Sequence, residues 1–197
     1  KYPRMINQSA AYICDTKKTD FDIAITDEAL AIAHRENPHL SVDECEYMMT
    51  GFVFYRNLVG FNGMLLHASA VIRNGYAYLF SAPSGTGKST HTSLWLKNFP
   101  DARILNDDKP ALRIIGGEVK ACGTPWSGKS HLNMNLCLPI GGICFLERSE
   151  KNHIQKITSG EAIPLMMNQT VRPKMLGNID KLLDTLGSII EKTDIYK

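Results

Sequence analysis

The sequence predicts a mixed α/β fold, and three observations carry that expectation. Leu65 to Ile72 and Tyr76 to Ser81 read as apolar strands joined by Asn74-Gly75, a dipeptide suited to the positive φ angles of a tight hairpin turn. The second strand runs into a loop of small residues, Ala82 to Gly87, and a helix over Ser89 to Asn98 follows, stopped by Pro100. A short apolar strand, Ala102 to Leu105, then ends on Asn106-Asp107-Asp108. Hairpins make antiparallel neighbours, so the strand before the loop is expected to have one.

The other elements follow in chain order. The first 25 residues read as short strands and a turn, with alternation at Phe21, Ile23 and Ile25. Thr26 is placed to cap a helix through about Glu36, with Asp27 and Glu28 in its first turn and Asn37-Pro38 as its end. Ser41 to Glu44 has the spacing of a capping box. Beyond it Cys45, Met48, Met49, Phe52, Tyr55 and Val59 fall on one helical face, read as core, and Gly60 is the expected stop. Ala111 to Cys122 reads as a glycine-containing β segment, and a strongly apolar strand is expected around Ile143 to Leu146. The last quarter reads as helical, over Ser159 to Asn168 and Pro173 to Glu191.

Composition sets the outer limits. The 197 residues are 44% hydrophobic and 21% charged, proportions of a globular chain and not of a disordered or collagen-like one. The net charge is +2 and no basic run exceeds Lys17-Lys18, so no nucleic-acid surface is expected. The apolar stretches are too short to span a bilayer, and the opening Lys1-Tyr-Pro-Arg-Met lacks the apolar core of a signal peptide. Five widely spaced cysteines without a CxxC pair read as reduced, mostly buried thiols of a cytoplasmic protein. The chain starts without Met and stops at Asp194-Ile-Tyr-Lys197, which reads as the opening of a strand, so a longer chain could continue at either end.

The segment Ala82-Pro-Ser84-Gly85-Thr86-Gly87-Lys88-Ser89 fits a phosphate-binding loop, with alanine in the place of the usual first glycine. Small residues let backbone N–H groups curl around phosphate oxygens, and the next helix adds its free amides and positive dipole end. Lys88 is expected to reach the β- and γ-phosphates of ATP and Ser89 to ligate Mg²⁺, with Thr90 a lesser candidate. Gly123-Thr-Pro-Trp-Ser-Gly128-Lys129-Ser130 matches the same pattern even better by letters. Its Pro125 and Trp126 would crowd a phosphate nest, and poor helix formers follow. It is read instead as an active-site loop whose Lys129 contacts the second substrate.

At the exit of the next strand, Asp107-Asp108 supplies carboxylates for a metal and for an acceptor's proton. His67 stands within the strand that leads to the hairpin. A histidine-bearing strand, an Asn-Gly hairpin, the loop Ser84 to Ser89 and then Asp107-Asp108 together resemble the catalytic domain of bacterial HPr kinase/phosphorylase. ATP-dependent phosphoenolpyruvate carboxykinase is a more distant relative with a similar arrangement. The resemblance covers roughly residues 62 to 115 and is traceable to about residue 190. It implies a P-loop kinase fold of that type with the loop in a mixed sheet, which the hairpin before Ala82 fits, His67 near the acceptor or γ-phosphate, Asp107 as base and Asp108 on the metal, with those last two roles open to exchange. Arg172-Pro173 corresponds to the family's mobile arginine loop on two letters alone. The family's separate N-terminal domain and its glycine-rich phosphorylase signature are not found, so the resemblance implies a stand-alone HPr-kinase-like protein.

The chain is accordingly expected to form one catalytic domain over 1–197. Its parts are N-terminal strands and helices (1–61), a nucleotide-binding core (62–150) and a helical part (151–197). The expected activity is Mg-ATP-dependent phosphoryl transfer to a hydroxyl, a serine of a protein or peptide, with Lys129 and Arg172 on the acceptor side. Two alternatives stand beside it: a nucleotide-binding regulator without kinase activity, and a small-molecule kinase or carboxykinase-like enzyme. The family's kinases are often oligomeric, so the resemblance admits a homo-oligomer.

Overall fold

In the computed structural model, which describes residues 12–13, 22–23, 25–170 and 176–197, the chain divides into two compact units, Lys1–Phe61 and Asn62–Lys197. The first holds a short antiparallel pair, β1 (Tyr12–Ile13) and β2 (Asp22–Ile23), and two helices, α1 (Asp27–Glu36) and α2 (Val42–Asn57). The Thr26 hydroxyl accepts from the Ala29 amide, satisfying one free donor of α1. Ser41 and Glu44 close a reciprocal capping box on α2.

Two expectations for this unit need correction. Phe52, assigned to the core stripe, is 44% exposed, while Thr50, Gly51, Val53, Tyr55 and Asn57 are buried around it. The second half of α2 thus buries a broader sector than the expected stripe. Nor does Gly60 stop the helix: α2 passes at Leu58 into a 3₁₀ turn through Phe61, and the chain reverses at Asn62, where φ is +52°.

The second unit is built on an eight-stranded mixed sheet. Its strands are β3 (Gly63–Leu65), β4 (Ala68–Arg73), β5 (Tyr76–Ser81), β6 (Arg103–Asn106), β7 (Ala111–Ile115), β8 (Glu118–Cys122), β9 (Cys137–Phe145) and β10 (Ile195–Tyr196). The order is β3-β7-β8-β9-β5-β4-β6, with β10 paired to β9. β5 and β10 run parallel to β9, and the remaining pairs are antiparallel. Asn74 and Gly75 take φ angles of +51° and +79°, the turn that fixes the full β4–β5 register from Arg73↔Tyr76 to Ala68↔Ser81. A second hairpin at Gly116-Gly117 divides the expected Ala111 to Cys122 segment into β7 and β8.

Helix α3 (Lys88–Asn98) lies on β4 and β5. Its Trp95 and Phe99 pack with Tyr78, Phe80, Val71 and Ala102 into an aromatic cluster. Alternation along β5 turns Ala77 and Leu79, both fully buried, to the other face of the sheet. Helices α4 (Ser159–Asn168) and α5 (Leu176–Lys192) pack on one another, and α5 contacts β3 and β8. Leu182, Leu186 and Ile189 recur at helical spacing and are buried. Among the described residues, no helix is long and apolar enough to cross a membrane.

The cysteine expectation is also overturned. Cys122 and Cys137 form a disulfide, while Cys45 and Cys144 are free thiols and Cys14 lies outside the described residues. The cause is register: the last residue of β8 stands directly opposite the first residue of β9, with the Cα atoms 4.0 Å apart. Nothing in the linear spacing of the two cysteines signals that pairing.

Candidate active site

Four chain segments meet in a cleft of about 740 Å³ in the second unit. The first follows β5. Gly85 and Gly87 take φ angles of +77° and +117°, conformations that favour glycine, and Gly87 immediately precedes α3. The loop therefore delivers Lys88 and Ser89 as the opening residues of a helix whose first amides have no partners within it. Ser84, Gly85, Gly87, Lys88, Ser89 and Thr90 all line the cleft, and Thr86 does not.

Lys88 Nζ donates to the Ala82 carbonyl at 2.9 Å, folding the side chain back over its own loop. Burial lowers the Lys88 pKa, and the charges of Asp108 and Asp107 partly offset that effect. The Arg148 guanidinium, on the segment after β9, donates to the Gly85 carbonyl at 3.1 Å and holds the crest of the loop.

The second segment follows β6. Asp107 and Asp108 both line the cleft, but they are held differently. The buried Ser69 hydroxyl on β4 donates to Asp107 Oδ1 and to the Asp107 carbonyl. Asp108 instead meets His67 Nε2 at 3.1 Å and the Lys109 ammonium. Burial opposes ionisation of Asp108, yet hydrogen bonds from His67 and Lys109, together with the charges of both, outweigh it and bring its pKa down to about 2.

His67 supplies the third wall, and it stands outside the strand the sequence placed it in. The expected strand breaks at Leu66-His67 between β3 and β4. There the amides of Leu66, His67 and Ala68 bond to the carbonyls of Pro110, Gln169 and Asp108. Such long-range partners replace the ladder and turn the imidazole toward Asp108. His67 Nδ1 contacts Gln169 Oε1 at 3.0 Å, and the Ser81 hydroxyl secures the His67 carbonyl.

The fourth segment is the second glycine-lysine-serine loop. Ser127, Gly128, Lys129 and Ser130 face the same cleft, but Gly128–Ser130 forms only a 3₁₀ turn that ends at His131 with φ +55°. Gly128 packs so closely on Asp108 that an added Cβ would stand 3.1 Å from the aspartate's own Cβ. Fully buried Asn106 joins this loop to the aspartates. Its amide nitrogen donates to the Thr124 carbonyl, and its Oδ1 accepts from the amides of Asp108 and Lys109.

The cleft thus gathers His67, the expected residues of the first glycine loop other than Thr86, Asp107, Asp108 and Lys129. Arg172 lies outside the described residues. The reading of the sequence missed Ser69, Lys109, Gln169 and the tethering role of Asn106. A polar residue inside an apolar strand was the one available signal for Ser69. Among the described residues, no group of three or more His, Cys, Asp or Glu side chains could hold a metal by itself. The hydroxyl of Ser89 and the carboxylates opposite it are hard oxygen donors, a set that fits Mg²⁺ carried with substrate phosphates and water.

Among solved structures, the chain is similar to the Hpr(Ser) kinase/phosphatase from Coxiella burnetii. The identity is 14% and the TM-score 0.37, over 62% of this chain and 86% of that one. No family model matches the chain, and no curated protein does.

Proposed function

We propose that the protein is a Mg-ATP-dependent phosphotransferase acting on a hydroxyl, a serine of a protein or peptide. One observation carries this reading: a glycine loop that opens a helix with Lys88-Ser89 shares a single cleft with Asp107, Asp108 and His67. Loop amides and Lys88 hold the triphosphate, the lysine exchanging the Ala82 carbonyl for phosphate oxygens. Ser89 and Asp108 hold Mg²⁺, which when bound neutralises charge on the β- and γ-phosphates. Asp108 is ionised at neutral pH like any ordinary aspartate, and in taking the metal it would exchange contacts that His67 and Lys109 now make with its two oxygens.

Asp107 is the base. The Ser69 hydroxyl fixes one of its carboxylate oxygens and leaves the other to orient and deprotonate the acceptor hydroxyl. The acceptor oxygen bonds to the γ-phosphorus, the bond to the β-phosphate oxygen breaks, the acceptor proton passes to Asp107 and ADP leaves. His67 and Lys129 face the acceptor side and offset charge on the transferring group.

The test is incubation with Mg-ATP and serine-containing peptides, followed by mass spectrometry, for the wild type and Asp107→Asn. A phosphorylated peptide from the wild type and a loss of at least a hundredfold in the variant are expected. Undiminished transfer by Asp107→Asn removes it as the base. Nucleotide binding with no phosphorylated product would favour a nucleotide-dependent regulator.

A further inference from the structure

A second cavity lies on the other side of the phosphate loop. It has a volume of about 270 Å³ and is lined by His91, Cys144, Leu146, Glu147, Ser149 and Asn152, among others, none of which lines the first cleft. Two contacts tie it to the phosphate loop. His91 belongs to the first turn of α3, its amide bonded to the Gly87 carbonyl. Arg148, between two lining residues, grips the Gly85 carbonyl.

Sheet order says which way a nucleotide must lie. The strand β5 that carries the phosphate loop stands between β4 and β9. Asp107, Asp108 and His67 all attach to the β4–β6 side, so the acceptor and the γ-phosphate belong there. Phosphates seated on the loop with the γ-phosphate on that side point the nucleoside away from it, toward the end of β9, where Phe145 leads into Leu146 to Asn152.

Much of the lining is charged or polar, with Glu147 paired to Lys197 and with Lys151 and His153 beside them, and a smaller apolar part offers a stacking surface to a flat heteroaromatic ring. Leu146 and Cys144 offer apolar, polarisable surface, and the His91 ring, held against Phe80 at 4.4 Å between centroids, offers an edge. The Trp95 indole N–H donates to His91 Nε2, which leaves the His91 proton on Nδ1 as a hydrogen-bond donor. The Asn152 amide adds a donor and an acceptor at the rim.

We propose that this cavity binds the purine base of the nucleoside triphosphate whose phosphates occupy the loop. The inference rests on the phosphate-loop reading and extends it to the base.

The experiment compares Mg-ATP with Mg-tripolyphosphate, which has the phosphates and no base, by titration calorimetry on the wild type, Ser149→Trp and Lys88→Ala. Ser149 is exposed, so a tryptophan there fills the cavity without entering the core. Wild type is expected to bind ATP at least tenfold more tightly than tripolyphosphate. Ser149→Trp should erase that margin by weakening ATP alone. A margin unchanged in Ser149→Trp, or absent from the wild type, overturns the base site.

Lys88→Ala separates the two failures. If it weakens both ligands while Ser149→Trp weakens neither, only the base site is lost. If it weakens neither ligand, the phosphate-loop reading falls and the base site with it. Photolabelling with 8-azido-ATP checks the placement independently: adducts within 144–153 or at His91 are expected, and adducts confined elsewhere overturn it.

Discussion

Two loops of this molecule share the letters Ser/Thr-Gly-Lys-Ser in spirit and diverge in structure. In the first, Lys88 opens the eleven-residue helix α3; in the second, Lys129 sits in a three-residue 3₁₀ turn. The difference lies in what flanks them. The first loop leaves a buried parallel-paired strand and enters a segment that packs Trp95 and Phe99 on the sheet, so helix continuation is stabilised by burial. The second leaves β8, returns to β9 directly opposite the residue it left, and is held by Asn106, Thr124 and the Cys122–Cys137 bridge. The same glycine-lysine-serine letters therefore open a helix, with its unpartnered first amides, only where the fold buries the segment that follows. The second loop faces the same cleft as a lysine-bearing wall.

The largest expected effect tests this division directly. Lys88→Ala should lower phosphoryl transfer about 10²–10³-fold, the scale of losing one preorganised charge donor. Steady-state kinetics with ATP and a peptide acceptor measure it, and an equal ATP defect in Lys129→Ala would erase the distinction between the loops. Next comes the backbone of the second loop. A Cβ on Gly123 would stand 1.9 Å from the Met134 carbonyl oxygen, so Gly123→Ala should destabilise the fold by about 3 kcal/mol in urea denaturation. Gly87→Ala, with no atom within 4 Å of the added carbon, meets only its left-handed backbone and should lose about 1 kcal/mol.

Asp108, which the second loop abuts through Gly128, gives a pH test. Its folded pKa of about 2 lies below the ordinary 3.8. Its contribution is therefore complete above about pH 4 and is lost as pH falls toward 2, an amount of about 2 kcal/mol. Denaturation midpoints of wild type and Asp108→Asn should converge across that window; a constant gap down to pH 2 contradicts the pairing with His67 and Lys109. Lys129→Ala is expected to raise the acceptor KM about tenfold (roughly 1.4 kcal/mol) with the ATP KM unchanged.

Local chemistry was the legible part of the sequence. The Thr26 and Ser41 caps, the Asn74-Gly75 turn and the strand, loop and helix around Lys88 each depend on neighbours a few residues away, and each stands as read. What escaped depends on distant partners. The strand break at His67 is made by Pro110, Asp108 and Gln169. The nine-residue length of β9 reflects its pairing with β8, β5 and β10 in turn, and the Cys122–Cys137 link reflects a register no spacing rule contains. For the site, the glycine-rich loop, its lysine, the histidine and the paired aspartates were legible by type, while Lys109 was missed because its role is set by its contact with Asp108. Ser69 and Gln169 were not legible either, because a neutral side chain acquires meaning only from the group it touches.

Asn106 has a consequence for motion. One buried, uncharged side chain holds the carbonyl of Thr124 with its nitrogen and the amides of Asp108 and Lys109 with its oxygen. The aspartate turn and the base of the lysine loop are therefore hinged on a common pin. A shift of either one strains the hydrogen bonds that hold the other, so the position of the carboxylates is tied to that of the loop through a single side chain.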